Sequence, residues 1–228
     1  MASQTSTTPA VVGRRERPGA LIAERAYREL RDRIVTLRLP PGAPLREDEL
    51  MRELGIGRTP LREAVQRLTL ENLVAVQPRR RTLVTDVRVD DIVQITEVRA
   101  ELEGYAAQVA ASVMDADAVA EARALRSEID ALGGEGQDAL MRFDERIHRF
   151  TWDAARNPYL AETLEQYFAL SLRVWYLVLD RVPALGASVH DQANLLRALL
   201  AGDAARARGI MRDHVLAFQR DVRAALAD

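Results

Sequence analysis

The sequence predicts a mainly α protein, an N-terminal winged helix-turn-helix followed by a C-terminal antiparallel all-helical bundle. Three observations predict it. Residues 46–73 read as a short helix, a sharp turn and a second helix whose start is studded with arginine. Two short β-branched runs follow, Leu73–Gln77 and Thr82–Asp86, with Pro78, Arg79, Arg80 and Arg81 between them, the pattern of a hairpin with a basic tip. From Val89 onward the pattern is of long helices only.

Taken in order, residues 1–19 are polar and Ser/Thr-rich, then rich in Arg, Pro and Gly, and are expected to be a disordered tail in which Arg14, Arg15 and Arg17 suit a phosphate backbone. Leu21 to Leu37 reads as a helix with Leu30, Ile34 and Leu37 inward, ended by Pro40-Pro41-Gly42. Gly55 closes the next helix, because glycine accepts the left-handed backbone of a helix end. Thr59 and Pro60 then read as N-cap and first residue of the following helix. Leu61, Ala64, Val65 and Leu68 share one face and are expected to be buried. Arg58, Arg62 and Gln66 follow at spacing four on another face and are expected to be exposed. An exposed helix start with two arginines and a threonine suits phosphates and guanine edges. The alternative is an ordinary amphipathic helix pair with a solvated basic edge. Three adjacent arginines on a hairpin tip repel one another and make sense beside a polyanion.

These features divide the chain into a tail (1–19), a DNA-binding head (20–88) and a helical body (89–228). The body helices are expected near 90–113, 115–132, 138–155, 158–179, 188–201 and 203–227, with breaks at Gly133–Gly136, Asn157-Pro158, Pro183–Gly186 and Gly202-Asp203.

Composition narrows the function. The 228 residues are 48% hydrophobic, enough for sizeable cores, and include no cysteine, which excludes disulfides, thiolate metal sites and cysteine nucleophiles. No apolar run approaches the roughly 20 residues that span a bilayer. An N-terminal apolar signal core is absent too, so a soluble cytoplasmic protein is expected. The net charge of −2 hides an asymmetry: residues 1–88 carry 17 Arg against 11 acidic residues (+6), the remainder 15 Arg against 23 (−8). A basic head on an acidic body suits DNA binding joined to sensing or pairing.

In the body, Asp144 and His148 are four apart on one helix face, and His214 lies on the last helix. A carboxylate and an imidazole at i, i+4, with an imidazole from elsewhere, make a plausible shell for a first-row metal. The alternative is a helix-surface pair, with His214 at a helix seam. Arg99 either pairs with Glu103 one turn on or points into the bundle to hold a carboxylate bidentately.

With these motifs on the page, the chain resembles the GntR family of bacterial transcription regulators, in its FadR-like branch with the FCD sensing domain. The resemblance covers about residues 21–225. It rests on Leu39-Pro-Pro-Gly-Ala-Pro-Leu45, Glu49-Leu50, Gly57-Arg-Thr-Pro-Leu-Arg-Glu-Ala64 and Leu73-Val74 in the head. In the body it rests on Val98-Arg99 through Leu102-Glu103, Asp144-x3-His148, Asn157-Pro158, Gly202-Asp203 and Met211-x2-His214. Six body helices resemble the smaller VanR-type variant. The resemblance implies that Arg58, Thr59 and Arg62 contact an operator and that the wing tip, here Arg79 to Arg81, enters the minor groove; Arg81 stands where members have glycine, and Asp48 where many have arginine. It also implies a divalent metal held by one aspartate and three histidines. Asp144, His148 and His214 match three of these; Gln192 takes the fourth place and is a weaker ligand. His190, two residues away, points about 200° round the helix. Ser188 reads as that helix's N-cap, with Asp191 three residues on.

The reading is therefore a homodimeric, non-enzymatic repressor of a pseudo-palindromic operator. A small organic acid would release or reorient it, held in the body by Arg99 and by Zn, Ni or Mn. Two alternatives remain: a metal-dependent enzyme with a localising head, and a dimeric regulator without an effector.

Overall fold

The computed structural model describes residues 18–77, 81–131, 136–178 and 186–227. The elements are α1 (Pro18–Val35), α2 (Glu47–Leu54), α3 (Arg58–Leu70), β1 (Val74–Gln77), β2 (Arg81–Val84), α4 (Val89–Val113), α5 (Ala116–Ala131), α6 (Gln137–Ala154), α7 (Pro158–Val178), α8 (Gly186–Leu200) and α9 (Ala204–Ala227). They form two compact units. Among the described residues, one holds those up to Asp32 together with those of Pro44–Leu83; the other holds Arg33–Ala43 and those from Val84 on. Among the described residues no helix is long and apolar enough to cross a membrane.

In the first unit, α1, α2 and α3 bury Tyr27, Leu30, Leu50, Leu61, Ala64 and Leu68. β1 and β2 pair in a two-stranded sheet, and Pro44 adds an antiparallel bridge to Leu83, with the Leu45 N–H donating to the Thr82 carbonyl at 2.8 Å. Gly55 takes φ 63, and its N–H and that of Ile56 both return to the Met51 carbonyl. This closes α2 as the turn between the two helices requires. The C-terminal end of α3 is locked onto α1. The Tyr27 hydroxyl donates to the buried Glu71 carboxylate at 2.9 Å, Arg67 reaches Glu24 at 2.6 Å, and the Arg67 guanidinium lies 3.6 Å above the Tyr27 ring. This clamp sets the rotation of α3 and hence the direction its exposed face points.

Four expectations are corrected. The N-cap of α3 is Gly57, at φ −80 and ψ 172, and the helix begins at Arg58; Thr59 and Pro60 lie inside its first turn. The ladder starts early because the Leu61 N–H already reaches the Gly57 carbonyl at 3.4 Å. Val65 is half-buried, on the margin of the apolar stripe. α1 stops at Val35, two residues short of Leu37, which takes φ 59 and is half-buried. The Leu39 N–H returns to the Arg33 carbonyl at 2.8 Å, so the chain reverses before the prolines. α8 begins at Gly186, so Ser188 lies in its first turn rather than before it; the side chains of Ser188 and His190 lie outside the described residues.

The second unit contains six helices, α4 to α9. α4 and α9 run antiparallel along most of their lengths, Glu101 meeting Arg208 at 3.1 Å and Arg212 at 3.0 Å. Gly104 permits the approach: a Cβ there would lie 3.3 Å from the Arg208 backbone oxygen. Short polar caps separate the helices. Asp115 accepts from the Ala118 N–H, Asn157 from Leu160 and Asp203 from Arg206, satisfying first-turn donors that have no intrahelical partner. The core is one cluster centred on Trp152, Trp175, Leu164, Phe168 and Leu196.

Candidate functional sites: an arginine row and a two-ended cavity

On α3, Arg58, Thr59, Arg62 and Gln66 are all exposed. Arg58 faces Glu47 at 4.0 Å and Asp48 at 3.8 Å, and Arg62 faces Glu47 at 3.7 Å. Ion pairs this long and this exposed are worth little, so a phosphate can replace the carboxylates at small cost. The first turn of α3 has no side-chain cap, which leaves its N–H groups facing outward for an anion. Arg81 is exposed at the start of β2. Arg79 and Arg80 lie outside the described residues.

In the second unit, Asp144, His148 and Trp152 project from one face of α6 at i, i+4 and i+8, and α4, α8 and α9 bring Glu103, Gln192 and His214 against them. His148 Nε2 lies 3.2 Å from His214 Nε2 and 3.5 Å from Asp144 Oδ2; His214 Nε2 lies 3.3 Å from Asp144 Oδ1. Each of the three residues offers a donor atom within 4.8 Å of the others. Ligand atoms about 2.0–2.2 Å from one cation stand about 2.8–3.6 Å apart in cis-octahedral or tetrahedral arrangements, so these spacings fit a single first-row ion. Gln192 is buried at the fourth corner. Its amide nitrogen donates to Asp144 Oδ1, and its Oε1 is buried without a partner. An orphaned acceptor beside three converging ligands is what a cation there would satisfy.

Glu103 organises the site, and reading the sequence assigned it only to Arg99. The carboxylate is fully buried and receives His148 Nδ1, the Trp152 indole N–H at 3.1 Å, and Arg99 through Nε at 2.9 Å and Nη2 at 2.5 Å. Burial alone would raise its pKa, but the charges of His148 and Arg99 and the hydrogen bonds they donate more than offset this and hold it at about 2. An ionised carboxylate only accepts, so the proton on His148 is at Nδ1 and Nε2 turns to the cavity. That is the arrangement by which a carboxylate fixes the tautomer of a metal-binding histidine. Burial likewise opposes the ionised Asp144, yet His148 and His214 hold it well below the usual carboxylate range. For His214, burial disfavours the charged form, but the hydrogen bond and charge of Asp144 prevail and raise its pKa. A pocket that favours a proton on His214 favours a cation in its place.

Arg99 takes the first of the two roles open to it, the pair with Glu103. It is buried, pairs with Glu103 and sits 4.8 Å over the Phe168 ring. It also lines the cavity with Asp144, His148 and His214, and its pair with Glu103 uses Nε and Nη2. Further along, the cavity wall adds Ser171, Trp175, Asp191, Phe218 and Asp221, none of which short motifs reveal. The enclosed part of this cavity is small, about 70 Å³.

Residues 94–217 match the FCD domain, and residues 22–84 match the bacterial regulatory proteins of the gntR family. The chain belongs to the GntR family. This GntR protein is similar to the HTH-type transcriptional repressor GlaR of Escherichia coli K12, at 30% identity over 83% of its own length and 90% of the relative. It is also similar to the repressor RspR of the same organism, at 24% identity over 90% and 91% of the two chains. Its fold is that of E. coli McbR/YncC, with a TM-score of 0.75, 22% identity, and 90% and 97% of the chains covered. GlaR and RspR are transcription regulators, which sets aside the reading of a metal-dependent enzyme with a localising head.

Proposed function

We propose that this GntR regulator is a homodimeric repressor whose helical unit senses a small organic acid. Arg58, Thr59, Arg62 and Gln66 read and position the operator, and Arg79, Arg80 and Arg81 clamp phosphates from the wing. In the cavity, Asp144, His148 and His214 would hold Zn²⁺, Ni²⁺ or Mn²⁺, with Gln192 a weak fourth ligand through its oxygen. A bound divalent ion supplies a Lewis-acidic position for a carboxylate. Arg99 orients that carboxylate through Nη1, while Phe168, Leu172 and Val215 exclude water from its chain. A coupling of a few kcal/mol between the cavity and DNA binding is enough to release an operator. The observation that supports this reading best is the convergence of three ligand atoms beside a buried arginine in one cavity.

Gln192→His replaces the orphaned amide oxygen by an imidazole. Metal affinity should rise, and EDTA should strip the variant more slowly than the parent, as followed by elemental analysis. If neither protein retains Zn²⁺, Ni²⁺ or Mn²⁺ after loading and gel filtration, the metal is not part of the site and Arg99 is the anchor. The dimer has its own test. Sedimentation should give about twice the 25.4 kDa chain mass at micromolar concentration, because two heads reading half-sites one turn apart need a two-fold partner. A monomer would contradict the assembly and support a different operator geometry.

A further inference from the structure

Helix α7 faces two ways. Phe168, Ser171, Leu172 and Trp175 recur at helical spacing and line the cavity. Arg173 lies about 150° round the helix from the centre of that face, at about 100° per residue. It is 1% exposed, and its guanidinium donates through Nη1 to Thr85 Oγ1 at 2.9 Å and through Nη2 to the Thr85 carbonyl at 2.6 Å. Thr85 stands at the joint where the chain crosses between the two units. The chain leaves the second unit after Ala43 and re-enters it at Val84. There the Gly42 N–H donates to the Val84 carbonyl at 3.0 Å, and the Val84 N–H to the Ala43 carbonyl at 2.9 Å. All of these residues belong to the second unit. One guanidinium thus fixes, to the back of a cavity helix, the paired segments that lead to and from the DNA-binding head.

The hold is weak for a buried charge. Among the described residues no carboxylate forms an ion pair with Arg173, so it rests on two neutral oxygens of one residue. Its Nε is buried without a partner. A charge held this way is costly, so a small displacement of α7 is enough to part it from Thr85. On the opposite face the cavity encloses only about 70 Å³, room for a few water-sized groups. A larger occupant has to push its walls apart, and close-packed interiors transmit strain.

Resting on the sensing role proposed above for the cavity, we propose that α7 is the transmission element of this regulator and Arg173 its positioning residue. An occupant pressing on the Phe168–Trp175 face shifts α7, draws Arg173 off Thr85 and loosens the joint that leads to the DNA-binding head.

Hydrogen exchange of the full-length protein, read at the Gly42 and Val84 amides, tests this. In Arg173→Met, which keeps an apolar stem in the same space, both amides should exchange about 10- to 100-fold faster, the effect of losing hydrogen bonds to a charged group. The Tm should stay level or rise, because a buried charge has been removed. Thr85→Val, which removes only the Oγ1 acceptor, should give a smaller rise in exchange at the same amides. The second arm fills the cavity without a ligand. Ser171→Leu from α7, or Ala217→Leu from the α9 wall, should speed exchange at the joint about tenfold in the parent and add nothing in the Arg173→Met background, a non-additivity that independent sites do not show. Unchanged joint amides in Arg173→Met overturn the positioning role. A fall in Tm with faster exchange throughout α7 makes Arg173 only a structural residue and overturns it too. A fill that speeds exchange equally in both backgrounds, or in neither, overturns the transmission. Neither arm contains acid or metal, so these failures are distinct from a failure to retain metal, which the loading experiment above reads.

Discussion

Glu103→Gln is expected to destabilise the helical unit by about 3–5 kcal/mol, the cost of leaving a buried charge without its partner. The charge is the Arg99 guanidinium, 3% exposed, whose ion-pair partner is Glu103. The substitution preserves volume but puts a neutral amide, with its own two donors, among the donors of Arg99, His148 and Trp152. The denaturant midpoint measures the loss, and a change below about 1 kcal/mol would show that the Glu103 carboxylate, through His148 and Trp152, is not what holds α4 to α6. The pH dependence has a definite sign. The folded pKa of Glu103 lies below its ordinary value of 4.5, at about 2. Its contribution is therefore present above about 4.5 and is lost as pH falls through about 2. The variant should lack the part of acid destabilisation that falls in that window. Because Glu103 also fixes the His148 tautomer, metal affinity should fall about 10–100-fold.

Arg62→Ala is expected to lower discrimination between a selected operator and random DNA by about 1–3 kcal/mol, roughly 5- to 150-fold. Arg62 is exposed on α3, four residues after Arg58 on the same face, and its nearest described carboxylate is a loose contact at 3.7 Å. Little is lost when DNA displaces that contact, so the base contact is gained almost in full. Arg81→Ala should act differently. Arg81 is exposed at the start of β2, and as the phosphate contact proposed for the wing its loss should weaken binding about equally on all sequences and lower the salt slope by about one contact. Equal losses on specific and random DNA for Arg62→Ala would make it a phosphate contact and move base reading to other residues of α3.

Where sequence reading succeeded and failed follows the range of the interactions involved. Leu61, Ala64 and Leu68 fall inward because helical periodicity alone places them on one face, and that face is buried. α3 starts two residues earlier than Thr59 and Pro60 predict, because Thr-Pro is a strong local cap signal, whereas the ladder begins with the Leu61 N–H on Gly57. Leu37 was placed inside a helix by its apolar character, but the chain turns through a left-handed residue there to send Leu39 back onto Arg33. In the cavity, Asp144 and His148 were readable as an i, i+4 pair. The contact between Glu103 and His148 spans 45 residues and has no signature in either local stretch.

By itself the sequence determined what short-range physics can determine. The apolar stripes and the glycine and asparagine breaks set the helices. The Arg58, Arg62 and Gln66 spacing set the exposed row, and the arginine balance separated a basic head from an acidic body. Only the tertiary structure decided which face of α4 meets α6, and therefore that the Arg99–Glu103 pair sits inside the bundle against His148 and Trp152 rather than on its surface. It also decided that Arg173 is buried and donates to Thr85 Oγ1 at 2.9 Å and to the Thr85 carbonyl at 2.6 Å, its pKa pushed down to about 10 by burial despite Asp86. The physical reason is common to both: a buried charge is tolerated only where partners arrive with the right geometry, His148 and Trp152 for Glu103 and Thr85 for Arg173. Those partners lie tens of residues away along the chain.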